Sequence, residues 1–181
     1  MTIRLATLMT IAVLACGPAA AQIPPQPPAP PSPTDTDPST PAGLIRGLYQ
    51  GYFEALSKSS ADPYPAMPPE YEWEAIADRM FTPDFAARFK KTLNAPEPVF
   101  DWDLFANGQD FGELKIIGVS VAAQDNATAT VAITTSNFGV ASTNTHYLVN
   151  GATGWKISDI EVWSGTPEAA RITAMMKDAG F

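Results

Sequence analysis

Four carboxylates, Asp101, Asp103, Asp110 and Glu113, stand among three phenylalanines, a tryptophan and two leucines in FDWDLFANGQDFGEL, residues 100–114. Apolar surroundings disfavour the charged form of an acid and raise its pKa toward the range useful for proton transfer. Trp102, Phe105 and Phe111 are the side chains for such a pocket, and Tyr49 offers a hydroxyl. One reading is therefore an enzyme that uses Asp101, Asp103 or Asp110 beside Tyr49 for acid/base chemistry. A second is calcium. An EF-hand loop wants oxygen ligands at positions 1, 3 and 5, glycine at 6 and glutamate at 12. Counted from Asp101, the first two fit, but Phe105, Ala106 and Gly112 fall at the other three. Only an irregular site built from Asp101, Asp103, Asp110 or Glu113 stays open. The third reading is architectural, and the residues favour it. Asp and Asn side chains accept hydrogen bonds from backbone N–H groups in turns. Asn107-Gly108 is a turn signal, Asp101 and Asp103 bracket a crossing, and the aromatic residues plug the end of a core. Gln109 and Asp110 would satisfy the backbone groups left unpaired there. The candidate ligand or structural site is Asp101, Asp103, Gln109, Asp110 and Tyr49.

Other chemistries drop out quickly. His146 is the only histidine, and a lone histidine in a strand is more often structural than a base or ligand. No Gly-x-Ser-x-Gly elbow, phosphate-cradling loop or dinucleotide fingerprint occurs, so no cofactor is implied. No metal site is assigned. Asn126-Ala127-Thr128 is a formal glycosylation sequon that reads here as a turn. The 181 residues carry a net charge of −8, and an acidic surface repels phosphate backbones, which excludes nucleic acid.

The elements that must position these residues follow two leading segments. Residues 1–21 have one early cation, Arg4, then an apolar run from Leu5 to Cys16, a Gly17-Pro18 break and Ala19 to Ala21. This is the layout of a secretory signal peptide cleaved after Ala21, and the run is too short to span a bilayer, which takes about 20 residues. A periplasmic or secreted protein is expected. Val13-Leu14-Ala15-Cys16 loosely resembles a lipobox, so lipidation at Cys16, with anchoring to the envelope, is the alternative. Cleavage takes Arg4 from the eleven Lys and Arg and nothing from the nineteen Asp and Glu, moving the balance from −8 to −9. It also removes the only cysteine, which excludes disulfides and thiol chemistry. Residues 22–41 hold half of the eighteen prolines and read as a disordered tether of extended chain.

Residues 42–181 form one domain. Thr40 caps a helix with Pro41 at its first position. Leu44, Ile45, Leu48, Tyr49, Tyr52, Phe53 and Leu56 follow at helical spacing. A short helix presents Trp73, Ile76, Ala77 and Met80. A third starts at Thr82-Pro83-Asp84 and lines up Phe85, Phe89 and Leu93. Beyond residue 112 the period becomes two. Ile117, Val119 and Val121 share one face, as do Ala129, Val131 and Ile133, and then His146 and Leu148 opposite Tyr147 and Val149. GWKISDIEVW is the fourth strand, and Thr166-Pro167-Glu168 caps a C-terminal helix.

This is an α+β order: N-terminal helices packed on a curved antiparallel four-stranded sheet, plus a C-terminal helix. The helices-first order and the closing GWKISDI strand resemble the nuclear-transport-factor-2-like, or cystatin-like, superfamily. That resemblance implies a roll whose sheet wraps the first helix around a cone-shaped cavity, and pairing of copies through the sheet as a homodimer. The segment Asp101, Asp103, Phe105, Gln109, Asp110 resembles a family of exported bacterial proteins of unknown function, many of them lipoproteins, which supplies no catalytic residues. The expected function is non-catalytic binding of an envelope protein or a small apolar ligand, through the cavity or the open sheet face. The alternatives are an enzyme using cavity carboxylates and a calcium-stabilised module.

Overall fold

The computed structural model describes residues 35–59, 66–163 and 169–181. The leader with Cys16, the tether as far as residue 34 and the expected cap at Thr166-Pro167-Glu168 lie outside the described residues. Helix α1 spans Pro41–Ser59. Its start is built as the sequence suggests: the Thr40 hydroxyl accepts from Gly43 N–H at 3.1 Å, satisfying one of the donors a helix leaves free at its first turn. A 3₁₀ turn at Pro69–Tyr71 leads into α2 (Trp73–Met80) and α3 (Pro83–Leu93). Thr82 occupies the cap position of α3, but its side chain makes no capping bond. Its N–H instead donates to Ile157 O at 2.8 Å, pinning the α2–α3 junction to the sheet.

The sheet has five strands in sequential antiparallel order: β1 (Lys115–Gln124), β2 (Thr128–Asn137), β3 (Val140–Gly151), β4 (Gly154–Trp163) and β5 (Ala169–Arg171). The fifth strand was not anticipated, and α4 begins only at Ile172. Irregularities at Ile116/Gly118 and Val121/Ala123 in β1, and beside Tyr147/Leu148 between β3 and β4, break the alternation. Each such bulge bends and twists a sheet, and together they curl this one around α1. The first bulge also corrects the expected face of β1. Ile117 is 60% exposed, while Ile116, Val119 and Val121 pack against the core.

The result is the α+β roll expected, with one apolar core. Ile45, Tyr49, Tyr52, Phe85, Phe89, Val131, Ile133, Leu148, Ile157 and Ile160 are all buried. Helix α1 lies against β1 and β2, and α3 and α4 lie against β4. Among the described residues no helix is long and apolar enough to cross a membrane.

Candidate functional site

The acid-rich segment of residues 100–114 lies in the connection from α3 to β1. Asn107 takes a left-handed conformation, φ 52°, which asparagine tolerates better than most residues. The reversal lets Asp103 N–H donate to Gly108 O at 2.9 Å. Within the turn the Asp103 carboxylate accepts from Phe105 N–H at 2.9 Å and from Ala106 N–H at 2.7 Å. Its other oxygen takes a short hydrogen bond from the Tyr52 hydroxyl. Burial raises the pKa of Asp103, and these three donors only partly offset it. Burial and the neighbouring Asp103 charge raise Tyr52 as well.

Tyr49 lies one turn earlier on α1 and engages the sheet. Alternation along β3 turns Asn144, His146 and Leu148 inward, where all three are buried. Asn144 Nδ2 donates to the Tyr49 hydroxyl at 2.8 Å and to Leu104 O at 2.8 Å. The same hydroxyl is hydrogen-bonded to His146 Nε2 at 2.9 Å, the imidazole tautomer setting which of the two donates. The other ring nitrogen, Nδ1, is buried without a partner. Burial pushes His146 down to about 3 and raises Tyr49. The histidine is thus a neutral core residue whose charge has nowhere to go.

Phe105 closes this assembly. It is fully buried, with ring centroids 4.8 Å from Tyr49, 5.1 Å from Tyr52 and 4.9 Å from Trp73. Tyr49, Tyr52, Asn144 and His146, which surround it or lie beside it, are likewise buried.

Of the five candidate residues, the structure brings Asp103 and Tyr49 into this interior and leaves Asp101, Gln109 and Asp110 exposed. Tyr52, not Tyr49, holds the carboxylate. Gln109 Nε2 reaches only Asp101, at 3.4 Å. The backbone groups assigned to Gln109 and Asp110 are served by Asn137 from the end of β2. Its Oδ1 accepts from Gly112 N–H at 3.1 Å, and its Nδ2 donates to Asp110 O at 2.9 Å and Ala106 O at 3.3 Å. Among the described residues no three acids, histidines or cysteines converge as metal ligands. Asn137 and Asn144 were missed by sequence reasoning. Alternation from Ile133 and from His146 points both inward, and that is the signal that could have found them.

Two openings flank the plug. Beside α3, a pocket of about 260 Å³ is walled by Trp73, Phe89, Leu93, Phe100, Trp102 and Leu104. Phe89 and Phe100 stack at 6.0 Å, and Trp102 meets Phe100 edge-on at 6.1 Å. Leu93, expected in the core with Phe85 and Phe89, is 37% exposed at its rim. Between α1 and β1 runs a larger groove of about 720 Å³.

No protein-family profile and no curated protein matches the chain. Among solved structures it is similar to the phospholipid-binding protein from Ralstonia solanacearum in complex with a phospholipid, at 18% identity over 74% of this chain and 73% of that one, with a TM-score of 0.34. At that identity and superposition the likeness says nothing of what this chain binds.

Proposed function

We propose that this protein is a non-catalytic binding roll that takes a small apolar, ring-sized ligand in the pocket beside α3. The observation that carries the reading is the pocket's wall: two tryptophans and two phenylalanines around about 260 Å³ open to solvent. An apolar cavity of about 150 Å³ is enough for benzene, so this one suits one or two fused rings. The acid-rich segment serves the pocket as scaffold. Asp103 and Tyr52 clamp the turn that carries Trp102 and Leu104, and Phe105 backs Trp73. Export through the leader at residues 1–21, tethering by residues 22–41 and kinship with the exported family sharing the Asp101–Asp110 pattern belong to the same proposal, and rest on the sequence.

The four tryptophans give a direct test. Titration of ¹⁵N-labelled protein with p-cresol should shift the indole N–H resonances of Trp73 and Trp102 saturably and leave Trp155, outside the pocket, unmoved. Leu93→Trp should fill the rim and abolish those shifts. If neither indole moves, or the filled variant binds as well, the reading is wrong.

A further inference from the structure

The groove between α1 and β1 shares no lining residue with the aromatic pocket. Its floor is Phe53, Leu114 and Ile116, and one end carries Arg46. Arg46 is half-buried, yet no carboxylate pairs with it among the described residues. At the far end Lys58 is neutralised by Glu54 at 2.7 Å. Among the described residues the groove therefore holds one cation without a carboxylate partner, on a chain of net charge −8.

We propose that this groove binds a long-chain monocarboxylate, head on Arg46 and alkyl chain along Phe53, Leu114 and Ile116. A guanidinium presents a planar fork that matches a carboxylate with two parallel hydrogen bonds. With about 1.5 Å of rise per residue, the α1 stripe from Arg46 to Ser57 runs about 17 Å, the reach of an extended dodecyl chain. One free cation selects one negative charge. An added peptide strand is a poorer occupant, because β1 carries two bulges, and bulged edges resist strand addition.

The test is titration of the full-length ¹⁵N-labelled chain with dodecanoate below its micelle concentration. The expected result is saturable shifts at the amides of Arg46, Phe53, Leu114 and Ile116. Arg46→Gln should weaken binding at least tenfold and Arg46→Lys by less, since it keeps the charge but loses the fork. Dodecan-1-ol should bind more weakly and be indifferent to either substitution. The proposal is overturned if Arg46→Gln binds dodecanoate as tightly as the parent, or if only the Trp73 and Trp102 indoles respond. Concentration-dependent broadening of the groove resonances before any ligand is added would also overturn it, by assigning the groove to a second copy of the chain.

Discussion

Asp103 shows how one side chain can be indispensable for shape and dispensable as a charge. It satisfies two backbone donors and the Tyr52 hydroxyl at once. Asp103→Ala orphans all three, and each unsatisfied buried group costs about 1–3 kcal/mol. The sum is about 3–9 kcal/mol, and since about 1 kcal/mol shifts a domain of this size by about 2–4 °C, a fall in melting temperature of at least about 6 °C is expected. Asp103→Asn keeps one oxygen for the two backbone donors and turns its amide to the Tyr52 oxygen, so its loss should be much smaller. The two variants separate further with pH. A carboxyl whose pKa is raised on folding contributes stability that is complete below its unfolded value and is lost as pH rises through the folded one. Burial raises Asp103 in this sense, and the asparagine has no such loss. Thermal melts from pH 4 upward should therefore show the Asn variant gaining on the parent. A constant gap between them would mean that folding leaves the pKa of Asp103 where it is in the unfolded chain.

At the scale of the elements, the C-terminal helix depends on a residue outside it. α4 has Arg171 at its cap position with no side-chain cap. Asp159 of β4 takes over, accepting from Thr173 N–H at 3.1 Å and from the Thr173 hydroxyl at 2.6 Å. Arg171 joins the same carboxylate at 3.3 Å and lies over the Tyr147 ring at 3.4 Å. Asp159→Ala should free α4 before the rest of the fold. Amide exchange over Ile172–Asp178 should accelerate by an order of magnitude or more, consistent with about 1–2 kcal/mol for a lost cap, while β2 and β3 stay protected. Uniform acceleration across the sheet would refute a local role. The example also shows why some elements were legible in the sequence and others were not. Thr40 caps a helix with contacts three residues away, and β2 and β3 keep strict alternation, so both could be read locally. The bulge that turns Ile117 outward, the short β5 and the remote cap on α4 depend on a partner strand chosen in three dimensions. The candidate site divides the same way: Asp103 in its own turn was readable, whereas its tie to Tyr52 and the work of Asn137 and Asn144 needed the sheet to close.

For the molecule as a whole, the single histidine sets an acid limit. His146 is neutral in the fold, with its pKa pushed by burial from 6.5 to about 3. A lowered folded pKa means stability that is complete above the unfolded value and lost as pH falls toward the folded one. Between those limits the loss approaches about 1.4 kcal/mol per pH unit, spread through a core that cannot admit the proton. The imidazole resonances should accordingly show no titration from pH 8 to 4.5 in the native protein, followed by cooperative unfolding. An ordinary titration near 6.5 in the folded state would place His146 in contact with solvent.

The bonds that seal the interior also join distant parts of the chain: Tyr49 to His146 across 97 residues, Tyr49 to Asn144 across 95 and Tyr52 to Asp103 across 51. The hairpins need no such search, since β2 and β3 are joined through Phe138 and Gly139 alone. Closing a long loop costs entropy before any contact rewards it, which places the hairpins early in folding and the Tyr49 bonds after the rate-limiting step. A contact absent from the transition state affects how fast the native state is left, not how fast it is reached. Tyr49→Phe should steepen neither limb of a chevron plot, leave the refolding rate within a factor of two and raise the unfolding rate at least fivefold. The polar interior then acts as a latch on the lifetime of the folded protein.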